Sequence, residues 1–223
     1  NLPNWNNFEM TPEVASEEAE RLLKLAPVVP VLIVDDVAHA APLAKALIDG
    51  GLPVFEVTLR TPAALDVIFE MSQIEGGYVG AGTLLSQEDV IAARKAGAIF
   101  GVSPGATENL LVACEDENLP LLPGAATASE VMWLLERGYR VQKFFPAESN
   151  GGAPALKAIG APIPQVAFCP TGGVSLSNAQ SYLGLSNTLC VGGSWVAPKQ
   201  FIQEENWDVI TELARDAARL GTE

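Results

Sequence analysis

Val141-Gln142-Lys143-Phe144-Phe145-Pro146-Ala147-Glu148 sets a lysine inside a short apolar run that a proline closes. A run of that length, with aromatics and a breaker at its end, reads as a buried strand and not as a helix. Lysine is seldom buried without a partner or a purpose. Two readings compete. One is a snorkelling or edge residue. The other is an amine whose dry surroundings favour the neutral, nucleophilic form that a Schiff base requires. The other lysines (Lys24, Lys45, Lys95, Lys157 and Lys199) fall in helix-like or loop contexts.

On both sides of this strand the chain alternates. Strands are expected at residues 28–34, 54–59, 78–82, 99–103, 119–122, 141–145, 165–169 and 188–191. The helices between and after them are expected at 36–48, 61–73, 86–96, 107–117, 127–137, 153–159, 175–183 and 204–220. An acidic amphipathic helix precedes them at 11–25, with Thr11 as N-cap, Pro12 in the first helical position and Glu13 in the first turn. Eight strand-then-helix units without a long linker predict an α/β fold: a closed, single-domain (β/α)8 TIM barrel over residues 1–223. The helix at 11–25 is an extra N-terminal element, and residues 1–10 are expected to be irregular. No Gly-x-Gly-x-x-Gly follows the first strand, which disfavours an open dinucleotide-binding sheet.

Composition narrows the function classes. At 48% apolar and 18% charged residues, 223 residues suffice for one sizeable core. A net charge of −14 argues against general nucleic-acid or anionic-membrane partners. Cys114, Cys169 and Cys190 are odd in number and widely spaced, with neither metal-ligand spacing nor a disulfide framework. Two of them sit in strand-like runs as small core residues. There is no long apolar stretch and no basic-then-apolar leader. A reducing, cytoplasmic location is the expectation.

Barrels of this kind place their active sites at the strand C-terminal ends. In Val54-Phe55-Glu56-Val57-Thr58-Leu59-Arg60, alternation sets Glu56, Thr58 and Arg60 on one face and the apolar residues on the other. If the apolar set meets the helices, Glu56 points to the interior and Arg60 reaches the rim. A direct Glu56–Arg60 pair is the competing reading, but four residues of strand separate their Cα atoms by about 13 Å. The same alternation turns Gln142 toward the helices when Lys143 faces inward. Thr171-Gly172-Gly173 and Gly192-Gly193-Ser194 end the last two strands. Glycine pairs offer backbone N–H groups to a close anion, a helix N-terminus directly after them would add its dipole, and this is where barrels often bind phosphate. Each loop alone is also what an ordinary strand-to-helix turn looks like.

These residues carry a resemblance. Gly51 to Arg60 and Lys143 to Gly151 are similar to the two signature segments of the 2-keto-3-deoxy-6-phosphogluconate (KDPG) aldolase / 4-hydroxy-2-oxoglutarate (KHG) aldolase family. Gly80 to Thr83, Ser103-Pro104-Gly105, Cys169 to Gly173 and Gly192 to Trp195 match that family as well. The resemblance implies a metal-free and cofactor-free class I aldolase, commonly a homotrimer. It would act on a phosphorylated keto acid to give pyruvate and glyceraldehyde 3-phosphate, or on 4-hydroxy-2-oxoglutarate to give pyruvate and glyoxylate. It further implies Lys143 as the Schiff-base lysine and Glu56 as the acid/base. Arg60 and Thr83 would hold the substrate carboxylate, and Pro104, Phe145 and Thr171 would shape the pocket. Gly172, Gly173, Gly193 and Ser194 would take the phosphate. The family prefers an apolar residue where this chain has Gln142, so altered strand–helix packing with intact chemistry is expected there.

Alternatives stay open at this point: a galactonate-series aldolase, a non-catalytic phospho-sugar-binding barrel, and an isomerase or epimerase sharing the phosphate loops. Outside the site, His39 and the carboxylates Glu17, Glu18 and Glu20 read as solvated helix residues. Met132 and Trp133 read as core or subunit-contact residues, and Trp195 as packing a helix start.

Overall fold

The computed structural model describes residues 9–221. Of the irregular N-terminus expected over 1–10, residues 1–8 lie outside the described residues, and 9–10 have no regular structure. Helix α1 (Pro12–Leu23) starts as its sequence dictates, the Thr11 hydroxyl accepting from the Val14 N–H at 3.3 Å. It ends two residues short of the expected 25.

The strands are β1 (Val28–Leu32), β2 (Val54–Thr58), β3 (Tyr78–Gly82), β4 (Gly101–Val102), β5 (Leu121–Leu122), β6 (Gly124–Ala125), β7 (Val141–Phe144), β8 (Ala167–Pro170) and β9 (Val191–Gly193). All pairings are parallel, in the orders β5-β4-β3-β2-β1-β9 and β6-β7-β8. The fold is therefore α/β on parallel strands. The fifth strand ends at Leu122, as expected, but a further short strand, β6, follows it. Proline lacks an N–H and breaks the ladder for one residue, after which β6 resumes pairing with β7. Isolated parallel bridges Phe168↔Thr188 and Thr171↔Gly192 connect the β8 stretch to the one carrying β9.

Helices α2 (Ala40–Asp49), α3 (Ala64–Ser72), α4 (Gln87–Lys95), α5 (Glu108–Asp116), α6 (Ala128–Glu136) and α7 (Gly152–Gly160) follow their strands. Ser86 with Asp89, and Thr127 with Glu130, close reciprocal capping boxes that fix where α4 and α6 begin. Three expected helices differ. The one expected from residue 36 opens as a 3-10 turn (Val37–His39), because the Asp36 side chain already accepts from the Ala38 N–H at 2.9 Å. The one expected from 175 is only α8 (Ala179–Leu183), since the Asn178 side-chain oxygen Oδ1 accepts from the Ser175 N–H in a turn at 2.8 Å. The closing helix expected from 204 is α10 (Trp207–Ala218), which starts later because Glu205 takes φ 52°, and a short α9 (Lys199–Gln203) precedes it.

Two apolar layers result. Phe55 and Val57 of β2 pack outward with Leu43, Leu47 and Ile68 of the helices. On the other strand face, Val29, Val54, Phe100, Val141 and Cys190 form a second cluster that Ala19, Leu22 and Leu23 of α1 join. Gly80 leaves the space that the Phe100 ring occupies. Helix α1 is tied to the start of β7 by Ser16, whose hydroxyl accepts from the Arg140 N–H at 2.9 Å.

Some surface expectations need correction. Glu17 is exposed, but Glu18 is buried, because Arg21 on the same helix reaches back to pair with it at 2.5 Å. His39 is half-buried, its ring tilted against Trp207 and its Nε2 3.7 Å from a Glu205 oxygen. Trp133 packs partly buried against the core, whereas Met132 is exposed.

Candidate active site

Strand alternation delivers Glu56 from β2 and Lys143 from β7 to the same side of the strands. Lys143 Nζ lies 3.8 Å from Glu56 Oε1, and their side chains are 7% and 4% exposed. That distance is too long for a hydrogen bond, and Glu56 Oε1 has no other hydrogen-bond partner among the described residues. Burial raises the Glu56 carboxyl above the ordinary glutamate range, and the Lys143 charge partly opposes this. The ammonium also lies 4.9 Å from the centre of the Phe145 ring.

The pair opens into a cavity of about 410 Å³. Its wall includes Arg60, Thr83, Pro104, Phe145, Thr171, Gly172, Gly173, Gly193 and Ser194. Every residue expected from the sequence to form the site thus lines one cavity. Arg60 stands just past the end of β2 and is exposed at the rim. Glu56 and Arg60 do not pair directly. Thr83 holds φ 62°, a left-handed conformation that a β-branched residue adopts only under constraint, and such strain gathers at functional sites.

The glycines explain how the walls approach one another. A Cβ on Gly192 would overlap the Thr171 hydroxyl, and one on Gly124 would overlap the Pro104 carbonyl. Gly172 and Gly173 take φ 102° and 76°, and their amides donate to no protein acceptor among the described residues. The expected helix dipoles are not directly behind these loops. Helix α8 begins only at Ala179 and α9 only at Lys199, because turns at Ser175–Asn178 and after Ser194 intervene. The groups these loops present to the cavity are backbone amides and the Ser194 and Thr171 hydroxyls, without a helix N-terminus directly behind them. Trp195 lies against Gly193 and is not on the cavity wall.

Val31, Ile33, Thr58, Val174 and Gly192 also line the cavity. The first two have no sequence signal, since apolar wall and apolar core use the same residue types. Thr58 was legible by alternation as a partner of Glu56, and its hydroxyl donates to Leu32 O at 3.0 Å. A larger cavity of about 660 Å³, between Arg140, Lys157, Gln165 and Asn187, holds no buried acid–base pair.

The sequence profile of the KDPG and KHG aldolases matches residues 19–213. The chain belongs to that family. It is 51% identical to the 2-dehydro-3-deoxy-phosphogluconate aldolase of Pseudoalteromonas atlantica, over 86% of this chain and 89% of the relative. The Zymomonas mobilis KDPG aldolase, solved with 3-phosphoglycerate, superposes with a TM-score of 0.88 at 45% identity, over 92% of this chain and 97% of that one. The Legionella pneumophila KDPG aldolase, with pyruvate captured as a covalent carbinolamine, gives 0.87 at 42% identity, over 95% and 100%. This protein is an aldolase, a carbon–carbon lyase of the Schiff-base type.

Gln142, the family departure, now has a physical account. Its side chain is fully buried on the far face of β7 and donates to Val131 O at 3.1 Å and Tyr139 O at 2.9 Å. The amide thus ties the strand to α6 and its C-terminal turn, on the face opposite Lys143.

Proposed function

We propose that this aldolase cleaves KDPG to pyruvate and glyceraldehyde 3-phosphate, with 4-hydroxy-2-oxoglutarate as a second substrate. The carrying observation is the buried Lys143–Glu56 pair opening into a cavity whose wall also holds the exposed Arg60 and the Gly172 and Gly173 amides, which have no protein acceptor among the described residues. The carbinolamine in the Legionella relative and the 3-phosphoglycerate in the Zymomonas relative support a covalent lysine and a phosphate site.

The Lys143 amine attacks the substrate C2 ketone, and Glu56 protonates the carbinolamine hydroxyl so that water leaves. In the resulting iminium, Glu56 takes the proton of the C4 hydroxyl. The C3–C4 bond breaks, its electron pair enters the iminium to give an enamine, and glyceraldehyde 3-phosphate departs. Glu56 returns a proton to C3, and water releases pyruvate from Lys143. Arg60 and Thr83 orient the carboxylate, Arg60 as a fixed charge. Pro104, Phe145 and Thr171 shape the pocket, and Gly172, Gly173, Gly193 and Ser194 receive the phosphate.

The strands are read as one closed (β/α)8 barrel in a single domain. The Pro123 break joins the two sheet segments on one side, and the Thr188 and Gly192 bridges join them on the other. Helix α1 is then the extra element, sealing the barrel floor through Leu22 and Leu23. A homotrimer in the cytoplasm completes the reading. Exposed Phe69, Leu85 and Met132 give it apolar surface to bury, and no helix among the described residues is long and apolar enough to cross a membrane.

The test is borohydride reduction in the presence of pyruvate, with pyruvate release followed from KDPG, its galactonate epimer and 4-hydroxy-2-oxoglutarate. A three-carbon adduct on Lys143, absent in Lys143→Ala, and preferred turnover of KDPG are expected. An adduct on another lysine, or faster turnover of the galactonate epimer, overturns the assignment.

A further inference from the structure

The loop that would cradle phosphate is held from behind. The Ala147 N–H donates to Thr171 O at 2.8 Å and the Glu148 N–H to Gly172 O at 3.0 Å. The Asn178 side-chain amide donates to Gly173 O at 3.0 Å. With three consecutive carbonyls occupied, the amides of Gly172 and Gly173 are the groups left for an anion.

The turn supplying two of those donors has its own fastening. Tyr182 of α8 donates its hydroxyl to the Glu148 carboxylate, and the Tyr182 side chain is fully buried, so its oxygen has little freedom to move. The stem of Glu148 passes beneath Gly173, where an added Cβ would come within 2.7 Å of it. The carboxylate is otherwise at the surface. Without the phenol it would be a free negative charge near the proposed phosphate position, and its backbone N–H would lose its register on Gly172.

We propose that Tyr182 and Glu148 are positioning residues for phosphate. Tyr182 fixes the Glu148 carboxylate, and the Glu148 backbone and stem hold Gly172 and Gly173 with their amides presented to the substrate. The inference rests on the reading of residues 172–173 and 193–194 as the phosphate cradle.

The experiment compares wild type, Tyr182→Phe, Glu148→Ala, Glu148→Gln and Ser194→Ala in the full chain. The readouts are KM for KDPG, competitive inhibition by inorganic phosphate, and exchange of pyruvate methyl protons with deuterium, a step that uses no phosphate. Losing a hydrogen bond to a charged group should raise KM and the phosphate inhibition constant about tenfold in Tyr182→Phe and Glu148→Ala, with pyruvate exchange retained. Glu148→Gln keeps an oxygen that accepts from the phenol and should restore both constants. Glu148 is exposed, so its variants keep the test decisive should Tyr182→Phe fail to fold. Tighter phosphate binding in Glu148→Ala would mean that the carboxylate acts only by repulsion, and would overturn the proposal. So would equal losses in phosphate affinity and pyruvate exchange. If Ser194→Ala weakens phosphate while the Tyr182 and Glu148 variants do not, the positioning role alone falls. If Ser194→Ala and the others all leave phosphate unaffected, the cradle itself is misassigned.

Discussion

Gly82 of β3 faces the Glu56 carboxyl so closely that a Cβ placed on it would come within 3.1 Å of both Glu56 Cδ and Oε1. The residue facing the proposed acid/base is therefore a glycine for reasons of space. Gly82→Ala should push the carboxyl away from Lys143 without removing it. A misplacement of about 1 Å can cost about a hundredfold, so a shift of a few tenths in a proton-transferring group should lower kcat by up to about tenfold. Phosphate inhibition should be unchanged, because the cradle is on other strands. Steady-state kinetics of the variant check this, and an unaltered kcat would mean that the Glu56 position is not critical.

Burial raises the Glu56 carboxyl above its ordinary value of 4.5, with Lys143 acting in the opposite direction. The folded protein then keeps this proton to higher pH than the unfolded chain does. Stability linked to the group is full below the unfolded value and is lost as pH rises from 4.5 toward the folded value. The slope is at most about 1.4 kcal/mol per pH unit. Glu56→Gln cannot titrate and should show a flatter Tm profile across that window. Thermal unfolding of both proteins, followed upward from pH 4.5, would contradict the account if the wild-type curve rose relative to the variant.

Gln142 donates two amide hydrogens to Val131 O and Tyr139 O, while its own Oε1 has no partner among the described residues. Gln142→Leu removes both bonds and also the unsatisfied oxygen, so the two effects partly offset. A net loss of about 1 kcal/mol is expected, read as a shift of the urea midpoint. Adjacent strand residues face opposite sides, so kcat should not change. A matching fall in kcat would mean that this amide reaches the chemistry through β7.

The site was more legible in the sequence than the element boundaries were. Period-two alternation in Val54–Arg60 and Val141–Phe145 decides which side chains share a face, and a register of parallel strands brings those faces together. Alternation proposes Glu56 and Lys143 as inward-facing, the glycine pairs at the ends of the last two strands are a separate signal, and the roles come only with the resemblance to the KDPG and KHG aldolases. Boundaries depend on single turns instead. Asn178 shortens α8, Glu205 delays the start of α10, and β6 follows Pro123 where no strand is expected. Val31 and Ile33 stayed invisible because a pocket wall and a core wall are built from the same side chains.

Cys169 and Cys190 stand 3.5 Å apart, sulfur to sulfur, in the apolar layer that Val141 and Phe100 share. Both are free and buried, as is Cys114. The hydrogen bond to Cys169 and burial hold the Cys190 thiol well above the usual range, and burial pushes Cys114 up to about 12. Thiolate is the reactive form, and access to these sulfurs is closed. The folded protein should therefore react negligibly with a thiol reagent such as 5,5′-dithiobis(2-nitrobenzoate) at neutral pH. In denaturant, all three cysteines should react at once. A thiol that titrates rapidly in the native protein would mean that the strands open on the assay timescale. Fewer than three in denaturant would mean that Cys169 and Cys190 had closed a disulfide.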